Sequence, residues 1–199
     1  MNVESQFCGL AICILLLVLY SRRKHLGLYG ENIFLCMLVM TIVLLALDII
    51  SVAGIIYKEL FPEWLVFCLC KLYVVSLVFE SCAALIYLLN DFMEQKRHKK
   101  ISRMLLGVSG LAGITMLIAP IEVFNDGIRV YSYGPSTMLA YAYCGAFLLA
   151  ILIVAFIKKR LITPIRWLAF MTWIFIWMAL AAIQFAESSL LLVGFATSL

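Results

Sequence analysis

Asp48, Lys71, Glu80 and Asp91 stand in or at the edge of apolar segments long enough to cross a bilayer. A charged side chain at that depth costs several kcal/mol by insertion scales, about 2.5–3.5 at a helix centre, so it usually faces other helices and carries a role. Asp48 lies nine residues before the outer end of the second apolar segment, and Lys71 seven residues past the outer start of the third. Two antiparallel neighbours would bring them to similar depth, and we expect an Asp48–Lys71 ion pair. Such a pair either fixes helix register or takes part in ligand binding or switching. Glu80 is nine residues from Lys71, half a helical rotation away, so the two cannot share a face. It is expected to meet another helix, either as a proton- or ligand-responsive carboxyl or as an interhelical clasp. Tyr73 and Tyr87 lie two turns either side of it, on its face. Asn90 and Asp91 are expected at the inner membrane edge, solvated.

Aromatic residues form a second set. Trp173, Trp177 and Gln184 share one face of the sixth segment, and Tyr133, Tyr141 and Tyr143 lie at or near the outer end of the fifth. They read as interfacial anchors or as the walls of an amphipathic pocket. Metal and nucleophile chemistry is not indicated. No HExxH, GxSxG, Walker or GxGxxG pattern occurs, and His25 and His98 both fall in basic loops. The seven cysteines lie in apolar segments without a CxxC, which reads as buried free thiols. No enzyme active site, cofactor, metal or nucleic-acid partner is expected.

The elements that position these residues are membrane helices. The 199 residues are 66% hydrophobic and 13% charged, about half the charge content of a soluble domain, with mean hydropathy +1.12. The expected fold is an all-α integral membrane domain over 1–199, a seven-transmembrane helix bundle with N-outside/C-inside topology. Its helices are read at about 7–22, 33–57, 64–89, 101–119, 137–157, 165–185 and 188–199. The last has about 12 residues, or roughly 18 Å at 1.5 Å per residue, so it is read as incomplete and the chain as the front part of a longer protein.

Twelve of the fifteen basic residues fall in three connections on one side: 22–24, 96–103 and 158–166. The positive-inside rule makes that side cytoplasmic. The longest outer connection, 120–135, carries Asn125, Asp126 and Gly127 between β-branched and aromatic stretches and predicts a short β-hairpin lid. Asn125, Asp126, Arg129, Tyr131 and Tyr133 on this lid are candidate ligand contacts with Asp48, Lys71, Glu80, Trp177 and Gln184. Gly107, Gly110 and Gly113 predict a close helix contact for the fourth helix.

Three stretches carry a resemblance: CKLYVVSL at 70–77, YSYGPSTMLAYAYC at 131–144 and LLLVGFATSL at 190–199. With the seven-helix arrangement, they resemble the seven-helix N-terminal sensor region of bacterial histidine kinases. The likeness is closer to the membrane regions that precede GGDEF diguanylate cyclase domains in clostridial proteins. It implies a bacterial plasma-membrane sensor, a homodimer, and a cytoplasmic effector domain in the same parent chain. No catalytic residue of that family is present here. On this reading a small ligand, lipid or physical signal at the outer half biases two packings of the bundle. The competing reading is a small transporter or the substrate-binding membrane subunit of an uptake system, which intramembrane Asp, Lys and Glu also suit.

Overall fold

A computed structural model describes residues 4–22, 29–90, 93–125, 130–161 and 164–186. Six helices and one hairpin follow in order: α1 (Glu4–Ser21), α2 (Tyr29–Ile56), α3 (Glu63–Asn90), α4 (Gln95–Ile118), β1 (Glu122–Asn125), β2 (Val130–Tyr133), α5 (Pro135–Ile157) and α6 (Pro164–Ala186). Each of the six complete segments read from the sequence has a helix over it. Among the described residues, α2 to α5 are long and apolar enough to cross a membrane, and α1 gives a shorter apolar stretch. The expected seventh segment, 188–199, lies outside the described residues, as do Asp91, Asp126, Arg129 and His25.

α3 is the central helix. It packs against α2, α4 and α5, and α1 closes over α2. It has 28 residues, about 42 Å at 1.5 Å per residue, more than a hydrocarbon core. The link 57–62 reaches at most about 20 Å, so α2 and α3 run antiparallel. The outward faces carry large apolar side chains, among them Leu15, Val43, Leu111, Leu149 and Phe156. In water such a belt would be a liability; against lipid it is the solvent-matched surface.

Helix ends follow local chemistry. Pro62, Pro135 and Pro164 stand at or just before the starts of α3, α5 and α6, where a missing N–H costs nothing. Pro120 follows the end of α4, and the Ala119 N–H closes the last turn on Thr115 O at 3.0 Å. The hairpin forms as its turn residues predict, with Glu122 opposite Tyr133, Val123 opposite Ser132, Phe124 opposite Tyr131 and Asn125 opposite Val130. Phe124 and Tyr131 stack across the strands at 5.1 Å between ring centroids. Ile121 and Val130 plug it into the core, and the Asn125 Nδ2 donates to Ile55 O at the end of α2.

The strand-to-helix corner requires a glycine. Gly134 has φ +115°, and a Cβ there would stand 3.3 Å from the Pro120 carbonyl oxygen. The Ser136 N–H reaches the same oxygen, while its buried hydroxyl donates to Met116 O on α4.

Two expectations about α4 are corrected. The helix begins at Gln95, six residues before the expected 101, because the basic run consists of good helix formers. His98 is therefore not a loop residue. It is fully buried, with Nε2 2.8 Å from Ile86 O on α3 and Ser102 Oγ 3.4 Å from Nδ1. Of the three glycines expected at a close contact, only Gly113 makes one: its missing Cβ would lie 3.4 Å from Val75. Gly107 and Gly110 have nothing within 4 Å, because the buried stripe of α4 runs through His98, Ser102, Ser109, Ala112, Gly113 and Met116 instead.

Candidate functional site

Polar side chains at bilayer depth gather on a seam between α1, α2 and α3, at intervals of seven residues on each helix. Seven residues are nearly two turns, so such positions stay on one face about 10 Å apart. At the level nearest the hairpin, Gln6 of α1 lies beside the Asp48 carboxyl of α2, with Cys70 and Tyr73 of α3 across from it. At the middle level, the Thr41 hydroxyl of α2 donates to Glu80 Oε1 of α3 at 2.6 Å, and Glu80 faces Cys13 of α1. At the inner level, Tyr20, Phe34 and Tyr87 form an aromatic chain with centroid distances of 5.2 and 6.1 Å.

The seam is dry. Gln6 is 0% exposed, Asp48 1% and Glu80 3%, so none reaches water or lipid. Both Asp48 carboxylate oxygens and Glu80 Oε2 lack a hydrogen bond of good geometry. The side-chain amide of Gln6 is the polar group next to Asp48, and an amide brings no charge. Buried polar atoms without partners are uncommon and mark a place where something else can bind or where strain is held.

The expected Asp48–Lys71 ion pair does not form. Lys71 Nζ donates to the Leu117 carbonyl in the last turn of α4. The last four carbonyls of a helix have no partner within it and concentrate the negative end of its dipole, so a lysine satisfies both there. Similar depth was not enough. Cys70 and Tyr73 face Asp48, while Lys71, one residue and about 100° round the helix from Cys70, faces α4. Glu80 meets another helix as expected, in the clasp with Thr41.

A cavity of about 40 Å³ opens at the hairpin end of the bundle. Its walls are Tyr73, Val74 and Leu77 of α3, Thr137, Ala140, Tyr141 and Cys144 of α5, Trp177 of α6, and Tyr131 and Ser132 of the hairpin. Of the aromatics read from the sequence as pocket walls, Trp177 and Tyr141 line this cavity and Tyr133, Tyr143 and Trp173 do not, and there is room for only two or three molecules of water size. Trp177 is 5% exposed, so it belongs to the wall and not to an interfacial belt. The Thr137 hydroxyl is buried without a hydrogen-bond partner. Tyr73, whose helix carries Glu80 of the seam, also lines the cavity, so the two adjoin through α3.

The other candidates divide. Asn125 serves the lid's attachment to α2, and Tyr133 lies exposed at the end of the hairpin, hydrogen-bonded to Glu122. That bond is the main reason the Tyr133 phenol is raised from its ordinary value. The Gln184 side chain lies outside the described residues. Gln6, Thr41 and Thr137 were not read from the sequence. Gln6 had no apolar periodicity to mark it, but 6, 13 and 20 share their spacing with 34, 41 and 48 and with 73, 80 and 87. Among the described residues no group of His, Cys, Asp and Glu is arranged to hold a metal ion. No protein-family model matches the chain, and no curated protein matches it.

Proposed function

We propose that this chain is a membrane-embedded sensing module whose input is the cavity under the hairpin. The observation that carries the reading is that four separate elements (α3, α5, α6 and the lid) converge there on a tyrosine- and tryptophan-lined space. Such a convergence lets an occupant favour one packing of the bundle over another, provided its affinity for the two differs. The proposal includes a bundle of seven spans in a bacterial plasma membrane, N-terminus outside, acting as a homodimer. It also includes a cytoplasmic cyclase- or kinase-type effector in the parent chain. Arg22, Lys96, Arg97, Lys99, Lys100 and Lys158–Arg160 support the orientation, since all are exposed at one end of alternating helices.

Bound small molecules test the reading. The protein would be purified from its own membranes and denatured, and the released species compared by mass spectrometry with those from Cys144→Met, which fills the cavity. A species carried by the wild type and lost from the filled variant supports the proposal. Identical sets from both proteins refute it. The transporter reading draws on one further observation, the two buried carboxyls stacked along the α2–α3 seam. Saturable uptake of the released species into proteoliposomes would decide for transport.

A further inference from the structure

The turn between α5 and α6 carries Lys158, Lys159 and Arg160 in succession, all exposed. The turn is tight. The Lys158 N–H donates to Val154 O at 2.9 Å and the Leu161 N–H to Lys158 O at 2.8 Å, so three cationic side chains leave one short stretch of backbone. α5 has 23 residues, roughly 35 Å at 1.5 Å per residue, against about 30 Å for a hydrocarbon core. Its end therefore stands at headgroup depth. Lys159 is held there: its Nζ lies 4.4 Å from the ring centroid of Trp167 on α6, and Phe156 meets the same ring edge-on at 6.1 Å between centroids. A lysine already held by a ring loses less rotamer freedom when an anion binds. Beside the cations, Phe156, Ile157, Leu161 and Ile165 are exposed apolar side chains.

We infer that this turn is a binding site for the headgroup of an anionic phospholipid, in the leaflet at the basic end of the bundle. The lipid phosphate meets the ammonium and guanidinium groups, and the acyl chains lie against Phe156 and Ile157. Clusters of basic residues beside a membrane helix recognise anionic lipids in this way. A soluble acidic partner matches the charges but not the apolar side chains around them. Basic residues that only set orientation need no ring to hold one of them in place.

Trp167 supplies the reporter. Trp64→Phe, Trp173→Phe and Trp177→Phe leave it the single tryptophan of the chain. The 199-residue protein, in phosphatidylcholine vesicles at physiological ionic strength, would receive increasing fractions of brominated phosphatidylglycerol or brominated phosphatidylcholine. Bromine quenches an indole only at close range, so the two curves give the relative affinity of the two lipids at the turn. One basic residue near an anionic surface contributes about fivefold in affinity. Three should make phosphatidylglycerol preferred by more than about tenfold. Lys159→Gln alone should lower that preference about fivefold, and Lys158→Gln, Lys159→Gln and Arg160→Gln together should abolish it. Lys96→Gln, Arg97→Gln and Lys100→Gln together, on the exposed start of α4, should leave it unchanged.

Equal quenching by the two lipids overturns the site. An equal loss from the α4 variant and the turn variant also overturns it, because the preference then belongs to the summed charge of the basic end. Polyglutamate that removes the quenching assigns the turn to a soluble acidic partner and overturns the lipid. If the single-tryptophan protein does not fold, native mass spectrometry of the wild type released from mixed phosphatidylglycerol and phosphatidylcholine nanodiscs decides. Phosphatidylglycerol should be the last lipid retained by the wild type and not by the turn variant. The same retention by both proteins overturns the inference.

Discussion

The clasp between Thr41 and Glu80 yields a prediction whose sign differs for its two halves. Thr41→Val keeps the side chain's shape and removes only the hydroxyl. Glu80 Oε1 then loses its donor at 2.6 Å, and Oε2 has none of good geometry already, so a 3%-exposed carboxyl is left wholly unpartnered. Hydrogen bonds between membrane helices average about 0.6 kcal/mol and reach about 1.7. Leaving a buried polar group unsatisfied costs about 1–3 kcal/mol. Thr41→Val should therefore destabilise the bundle by about 1.5 kcal/mol. Glu80→Leu acts differently, because the Thr41 hydroxyl keeps its second acceptor, Met37 O at 3.0 Å. It also removes a buried carboxyl, so it should be neutral or stabilising by about 1 kcal/mol. In the Glu80→Leu background, Thr41→Val should cost almost nothing, which gives a coupling of about 1.5 kcal/mol in a double-mutant cycle. Reversible unfolding in mixed micelles, followed by steric trapping, measures all four proteins. A coupling below about 0.5 kcal/mol, the scatter expected of independent sites, refutes the clasp as an energetic contact.

Three further outcomes follow from the same structure. Gly134→Ala should destabilise the outer corner by about 1–3 kcal/mol, because alanine resists φ +115° and its Cβ meets the Pro120 carbonyl; thermal unfolding reads it. Gly113→Leu should disrupt the contact with Val75 and Phe79 and lower the midpoint of unfolding, whereas Gly107→Leu, with open space around it, should leave the midpoint unchanged. Tyr133 should titrate above the ordinary phenol range in ultraviolet difference spectra, and Glu122→Gln should return it toward that range. The sign is fixed by the donor: the neutral phenol gives its hydrogen to Glu122, so that support is complete below the unfolded phenol's pKa near 10 and is lost as pH rises through the raised value.

Features governed by neighbours in sequence were legible, and those governed by helix rotation were not. The hairpin could be read from Asn125 and the alternating strands because turn chemistry is local. Helix positions could be read from hydropathy, since each segment had to be apolar to sit in lipid. Lys71 was misplaced because depth was counted and azimuth was not. Its position alone gave no sign that α4 would end beside it with an open carbonyl at Leu117. His98 was misplaced because charged neighbours on both sides mimic a solvated loop, while only the completed α4 shows that it shares a buried stripe with Ser102 and Ser109.

The seam itself was written in the sequence, in three registers that only the chain's path connects. Positions 6, 13 and 20 descend α1, 34, 41 and 48 ascend α2, and 73, 80 and 87 descend α3, so the pairs that meet have no common offset in number. Once the helices alternate in direction, each level takes one residue from each. Asp48 and Glu80 then also explain α1. Left at a two-helix interface, both carboxyls would face lipid on their open side, at a cost of several kcal/mol each. Gln6 at 0% exposure and Cys13 at 1% show α1 closing that side at both levels. The 18-residue α1 holds its place through Leu10, Cys13 and Leu17, which pack with Leu38, Ile42 and Leu45 of α2, and that same face covers the two carboxyls of the seam.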